Sequence, residues 1–398
     1  MWKHIASNAL TFFIVALFLL VGAVGWATKH YSDPGPLTQA ICFEVPAGSS
    51  MSRVAERLAE QNAVTSRMIL RVGADYSDKS GLLKAGSFLI PERSSMEEIV
   101  DIITRGGANT CGTEVLYRIG VNQVQGVVRD LDPATSRFVE LATFDPVAGE
   151  APEEYLAVRE EADTRYRLIL AEGVTSWQVL NAMQNISMLD SDVTETPPEG
   201  RLAPGSYDLT PGMAVSTILS QMTSRQDEII ATAWANRVDG LPLESPEEML
   251  ILASIIEKET GVGDERRQVA SVFVNRLNLG MRLQTDPTVI YGITEGEGVL
   301  GRGIRQSELR AETPWNTYVI TGLPPTPIAN PGRASIEAAV EPDQTDYIFF
   351  VADGTGGHTF TTNLEDHNRA VAVWRRIEAE RAASPPAEAP EETPTEAP

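Results

Sequence analysis

The chain has 398 residues, enough for two or three domains. With 42% hydrophobic and 22% charged residues, it has a globular rather than a disordered composition. Fifty-five acidic against 32 basic side chains leave a formal charge of −23, so nucleic acid, which needs a basic footprint, is not an expected partner; two cysteines and four histidines leave little for a Cys/His metal centre, and neither a metal nor a cofactor is expected.

The first element is apolar. After a short end at residues 1–4, residues 5–28 carry no charge. As a helix they would extend about 36 Å, enough to cross a bilayer with some tilt. Trp2 and Trp26 stand at its ends, where interfacial aromatics belong, and the positive amino end predicts a cytoplasmic start. A cleaved signal peptide, cut near Ala23-Val24-Gly25, is the other reading. Both place the rest of the chain outside the cytoplasm. There Cys42 and Cys111 would be a disulfide or two buried thiols.

Beyond a linker at 29–40, Ile41–Val45 reads as a strand and Pro46-Ala47-Gly48 as a turn. Ser49–Gln61 follows with helical spacing of Met51, Val54, Ala55, Leu58 and Ala59. Leu83–Ile90 reads as a second strand and Ser95–Thr104 as a second helix. The order recurs from Leu168–Gly173 through a helix with Val174, Trp177, Leu180 and Met183, then Leu202–Leu209 and a helix with Met213, Val215, Ile218, Leu219 and Met222. Gly48 and Gly173 correspond at an offset of 125, Gly86 and Gly205 at 119, which points to an internal duplication. Residues 41–108 and 166–225 are therefore expected to be two small β/α modules, similar to LysM carbohydrate-binding modules or else unrelated β/α spacers. Between them, residues 109–165 read as a β-rich insertion with an acidic exposed loop. Residues 382–398, rich in proline and glutamate, read as a disordered tail.

Ser245-Pro246-Glu247-Glu248 is a helix start with a capping box. Met249–Ile256 is apolar all round, so this helix should be buried. It ends in Glu257-Lys258-Glu259-Thr260. A carboxylate on the last turn of a buried helix should be desolvated, and the helix C-terminus adds to that effect; a carboxyl still protonated near neutral pH is suited to protonating a glycosidic oxygen. Periodicity does not choose between Glu257 and Glu259. The plainer reading pairs both with Lys258, Arg266 or Arg267 on the surface. Further on, Asp264 is expected to cap a helix at 265–279, and Asp286-Pro287 to open another. Tyr347–Ala352 and His358–Thr362 should form a hairpin, followed by a helix capped by Asn363.

The order Ala253–Thr260, Arg266–Gly292, Asn316-Thr317-Tyr318, Thr321–Gly332 and Tyr347–Asn368 resembles the endolytic murein transglycosylase family (MltG, or YceG-like). The close match runs from Ser245 to Asn368, with a looser one to the modules and the amino-terminal segment. The resemblance implies an α+β fold: a transmembrane helix, LysM-like modules and a mixed α/β catalytic domain at 226–381. It implies non-hydrolytic cleavage of the MurNAc-β-1,4-GlcNAc bond of peptidoglycan glycan strands by a protein held in the inner membrane by one helix, with peptidoglycan synthases as partners. In the family the first glutamate of the Glu-Lys-Glu-Thr motif is catalytic, which selects Glu257. Gln284, Thr285, Asp286, Asn316 and Tyr318 match positions around the family's cleft and are carried over as substrate-contacting or positioning residues; His358 and His367 are read as structural hydrogen-bonding groups. Two features depart from the family: Glu199–Tyr207 lacks the aspartate usual before its Ser-Tyr pair, and the 109–165 insertion is long. Competing readings are a water-using muramidase, with Asp286 or Glu259 as second carboxylate, and a non-catalytic peptidoglycan-binding scaffold.

Overall fold

A computed structural model describes residues 2–105, 110–147, 149–159, 161 and 164–383. The expected tail falls almost wholly outside them. The chain divides into two compact units, one of residues 1–117, 125–167 and 208–210, the other of residues 118–124, 168–207 and 211–398.

The first unit begins with helix α1 (Trp2–Ser32). Its stretch Leu10–Ser32 is long and apolar enough to cross a membrane and none of it is buried within the protein. The helix runs beyond the expected end at residue 28, and Tyr31 packs its ring on Gly73, where a Cβ would lie 2.3 Å from the ring. There follow β1 (Ile41–Val45), α2 (Met51–Glu60), α3 (Arg67–Tyr76), β2 (Gly86–Ile90) and α4 (Met96–Thr104). β1 and β2 pair antiparallel, Cys42 opposite Leu89. Ser50, Ser66 and Ser95 cap the three helices, the last with a full capping box to Glu98. α3 lies where the sequence reading placed no element: only Leu70 and Ala74 are buried on it, too sparse a stripe to stand out as a period. Phe43, Leu58, Leu70, Ile90, Ile99 and Ile103 fill the core. Cys42 and Cys111 form a disulfide with Cα atoms 5.5 Å apart.

Residues 113–144 are rich in strand. β3 (Thr113–Ile119), β4 (Val124–Asp132), β5 (Arg137–Phe144), β6 (Arg165–Leu170) and β7 (Gly205–Leu209) form one sheet in the order β5-β4-β3-β6-β7. A short helix, α5 (Glu153–Val158), stands in the acidic stretch, anchored by buried Tyr155. Glu114 is buried with Arg129 on its carboxylate and Arg167 at 3.7 Å, so its charge is compensated inside the unit.

The second unit holds α6 (Ser176–Gln184), α7 (Val215–Ala235), α8 (Pro246–Glu259), α9 (Arg266–Asn278), α10 (Asp286–Thr294), α11 (Arg333–Val340), the hairpin β8 (Phe349–Ala352) and β9 (His358–Thr361), and α12 (Leu364–Ala383). α8 is its axis: all eight residues from Met249 to Ile256 are buried, and α7, α9, α10 and α11 pack around it. Three local expectations change. Glu248 reaches the Glu244 N–H at 2.6 Å, so the Ser245 cap is not a reciprocal box. Asp264 sits in a 3₁₀ turn and Glu265 holds the N-cap position of α9 without a side-chain bond. α10 starts one residue earlier than expected, with Thr285 as N-cap and Asp286 inside the first turn.

Candidate functional site

The site is built on the last turn of α8, where the helix leaves its apolar surroundings. Ser254, fully buried, donates from Oγ to the Ile251 carbonyl and accepts the Ile328 N–H at 3.0 Å. This fixes the proline-rich segment before Gly332 alongside the helix. One turn on, Glu257 is half-buried. Its Oε2 accepts the Gly332 N–H at 3.0 Å and the Ser335 hydroxyl at 2.7 Å. Both donors belong to the start of α11, the end of a helix that attracts negative charge.

Gly332 has an ordinary φ of −72°, so backbone conformation does not require glycine there. A Cβ there would lie 1.7 Å from Glu172 Oε1, the end of a flexible side chain that would have to swing aside. Glu172 lies in the turn between β6 and α6, and its carboxyl occupies the place of a side chain on Gly332. Burial of that carboxyl, and then the nearby charge of Glu257, raise the Glu172 pKa against the opposing pull of Arg266. The turn is pinned by Gly173 N–H to the Asn330 carbonyl and Asn330 N–H to the Val174 carbonyl, both 2.9 Å. Lys258 donates to the Gly173 carbonyl at 3.2 Å. Burial lowers the pKa of Lys258, while Glu257 and Glu199 act the other way.

Beneath the turn lies a polar network around Glu199. Its Oε1 accepts the Ser176 N–H at 2.9 Å, the Ser176 hydroxyl at 3.2 Å and the Asn330 amide at 3.4 Å, and its Oε2 accepts the Tyr291 hydroxyl at 3.3 Å. Burial pushes Glu199 up to about 7 despite these donors. Asn330, with no exposed surface, also binds the Val174 carbonyl and the Leu202 N–H.

Glu259 lies two residues along the helix, about 200° around it, and faces a different group. Thr285 Oγ1 donates to its Oε1. Burial raises its pKa; the Thr285 hydroxyl lowers it, Asp286 raises it further, and His358 and Arg276 oppose. The remaining residues carried over from the family gather on this side. The Tyr318 hydroxyl donates to Asp286 Oδ1 at 2.7 Å. Gln284 and Asp286 are exposed, Thr285 and Asn316 buried. Gln284 takes a left-handed φ of 48°, and its N–H bonds the Thr317 carbonyl at 3.2 Å. Asn316 turns its amide to the carbonyls of Glu308, Leu309 and Ala311 and its Oδ1 to the Tyr318 N–H, which shapes the loop. Thus Thr285, Asp286 and Tyr318 meet around Glu259, while Glu257 is held by Gly332 and Ser335.

His358 is a structural hydrogen-bonding group, with its N–H and Nδ1 both on Glu265, at 3.0 and 2.8 Å. His367 departs from its expected role: its ring stacks on Phe349 and its buried Nδ1 has no hydrogen-bond partner. Sequence reasoning did not single out Glu172, Glu199, Asn330, Gly332 or Ser335.

Residues 43–373 match the model of the YceG-like family. An endolytic murein transglycosylase of Bacillus subtilis (strain 168) is 28% identical over 333 residues, covering 82% of this chain and 83% of the relative. One from Streptococcus pneumoniae serotype 2 is 26% identical over 336 residues; this chain spans 57% of its length. A solved yceG-like protein from Listeria monocytogenes aligns with a TM-score of 0.44 at 26% identity, over 83% of this chain and 99% of that one. With the family model spanning most of its length, from β1 to α12, the chain belongs to the YceG-like family.

Proposed function

We propose that this protein is a membrane-anchored endolytic lytic transglycosylase that cuts the MurNAc-β-1,4-GlcNAc bond of peptidoglycan and leaves 1,6-anhydro-MurNAc ends. The observation that carries the reading is the placement of Glu257: a carboxylate at the exit of a buried helix, with one oxygen held by two donors and the group neither free in solvent nor sealed in the core. Relatives over four-fifths of the chain named endolytic murein transglycosylase support it. The anchor is α1. The Cys42–Cys111 disulfide supports a catalytic part outside the cytoplasm, on the far face of the inner membrane.

A hydrolase of this bond ordinarily uses two carboxylates, one activating water. In a lytic transglycosylase the nucleophile is the substrate's own C6 hydroxyl. Glu257 gives its proton to the glycosidic oxygen as the C1–O4 bond breaks. The C6 oxygen closes on C1, and its proton returns to the Glu257 carboxylate. Among the family-matched residues, exposed Gln284 and Asp286 and half-buried Tyr318 contact the glycan, and buried Thr285 and Asn316 position them. The β1-α2-α3-β2 order supports reading residues 41–108 as a LysM-like glycan-binding module. Trimming of nascent strands beside synthases fits an endolytic cut next to the membrane.

Glu259 is engaged by Thr285 and Asp286 by Tyr318, which argues against either as the water-activating base of a muramidase. The test is mass spectrometry of products from uncrosslinked glycan. Wild-type protein should give anhydro ends, lighter by one water than reducing ends. Glu257→Gln should lower the rate about a hundred- to ten-thousand-fold. Reducing ends, or a Glu257→Gln variant near wild-type rate, would overturn the assignment.

A further inference from the structure

Gln226 is a polar residue at a core position. On α7 the buried side chains of Ile218, Leu219, Met222, Ile229, Ile230 and Ala233 form the inward stripe, and Gln226 falls on it at helical spacing. It has no exposed surface, and an amide so buried costs free energy unless it is hydrogen-bonded. Its Nε2 donates to the Gly200 carbonyl and to the Pro331 carbonyl, both at 3.1 Å. Its Oε1 has no partner among the described residues. The side chain is therefore used as a double donor; an oxygen in the place of Nε2 would face two acceptors. The second of those carbonyls leads to the site. Pro331 C=O and Gly332 N–H are the two ends of one planar peptide group and point in opposite directions. Gln226 binds one end, and Glu257 Oε2 takes the other at 3.0 Å. The neighbouring groups are pinned too: Asn330 exchanges bonds with Gly173 and Val174, and the Gly332 carbonyl accepts the Ile336 N–H. Proline at 331 brings no N–H of its own, so the tilt of this peptide is set by Gln226 on one side and Glu257 on the other. A donor on the carbonyl also polarises the peptide and strengthens its N–H as a donor.

We propose that Gln226 is a positioning residue of the candidate catalytic centre: by holding the Pro331–Gly332 peptide it aims the Gly332 N–H at Glu257 Oε2 and so fixes the carboxyl that serves the glycosidic oxygen. This deepens the reading of Glu257 as acid and base, and rests on it. Oε2 is occupied by the Gly332 and Ser335 donors, so the proton to be transferred sits on Oε1, and its direction depends on how firmly Oε2 is held. Ser335 holds that oxygen directly, from the first turn of α11. Gln226 acts on it from α7, through one peptide group.

Gln226→Met keeps the length of the side chain and removes both donors. With the full chain in detergent micelles and anhydro ends counted on uncrosslinked glycan, kcat per folded molecule should fall about tenfold while KM stays within about twofold of wild type. The readout apart from turnover is the Gly332 amide, observed in protein carrying ¹⁵N-glycine and ¹³C-carbonyl proline, a labelling that selects glycines preceded by proline. Its proton resonance should move upfield in Gln226→Met as the bond to Glu257 weakens. It should move in Glu257→Gln as well, which marks it as the amide that meets this carboxyl. A kcat near wild type, a kcat that falls only in step with the folded fraction, or a Gly332 resonance that stays in place in Gln226→Met overturns the proposal. If wild-type protein yields no anhydro ends, the functional reading fails, while the Gly332 resonance still decides whether Gln226 sets this donor. Should Gln226→Met not fold, Gln226→Asn serves. Its amide stops one methylene short of both carbonyls, so the same loss of kcat and the same shift are expected, and a wild-type rate and resonance overturn the proposal.

Discussion

Gly48 and Gly173 hold φ at 73° and 78°, and Gly86 and Gly205 at 138° and 142°. The two β/α segments share backbone conformation at these glycines, yet they are stabilised differently. In the first copy the turn is open to solvent, the space between helix and second strand is filled by α3, and a disulfide closes the module. In the second segment the turn glycine, Gly173, is buried beside Glu257 and Lys258 of α8, and no helix stands between α6 and β7. The irregular segment there carries Glu199 into a network with Ser176, Asn330 and Tyr291.

The largest effect expected from this difference is on the first copy. Its disulfide joins residues 69 apart in sequence, and a cross-link of that span contributes about 4 kcal/mol by restricting the unfolded chain. Reduction with dithiothreitol should lower the melting of the first unit and leave that of the second in place, as read by calorimetry on the full chain. Equal shifts in both transitions would show that the two copies do not rely on separate means of stabilisation.

The elements were legible where one physical signal dominated. The unbroken apolar run Met249–Ile256 predicted α8, and the boundaries of β1 and α4 agree to within a residue of their capping and turn residues. α3 was not legible because it buries only two side chains. At the site the motif Glu257–Thr260 located the turn but not its surroundings. Glu172, Glu199 and Gly332 lie 85, 58 and 75 residues from Glu257 or fewer in the chain, and what joins them is a set of hydrogen bonds and one missing side chain, which no periodicity records. The choice between Glu257 and Glu259 shows the same limit. The two are alike in sequence context, and only the fold places one beside Gly332 and the other beneath Thr285.

A medium effect is expected in the second copy and depends on pH. Glu199 is raised to about 7 in the folded chain from an ordinary value of 4.5. The folded state therefore holds its proton more firmly than the unfolded state between those values. The sign follows: this group's contribution to stability is greatest below pH 4.5 and falls as pH rises to about 7, by about 3 kcal/mol at most. Glu199→Gln should flatten the pH dependence of unfolding of the second unit over this range and leave the first unit unchanged. An undiminished slope in the variant would assign the pH dependence to other groups and loosen the link between Glu199 and the network.

The smallest effect separates the copies most sharply. Alanine at either turn glycine must adopt a left-handed backbone, at about 1–2 kcal/mol, so Gly48→Ala and Gly173→Ala should lower stability by similar amounts in denaturant unfolding. Direct crowding does not distinguish them: a Cβ on Gly48 meets nothing, and one on Gly173 meets the Glu257 and Lys258 side chains at an ordinary 3.6 Å. What differs is how the strain is relieved. The first turn is free to relax into solvent. The second relaxes only by drawing its N–H from Asn330 or its carbonyl from Lys258, and either movement loosens the contacts beside Glu257 on the last turn of α8. Initial rates of anhydro-end formation should therefore fall several-fold for Gly173→Ala and stay near wild type for Gly48→Ala. If the two variants lose activity equally, the second turn is only a support, and its position against α8 has no part in the chemistry.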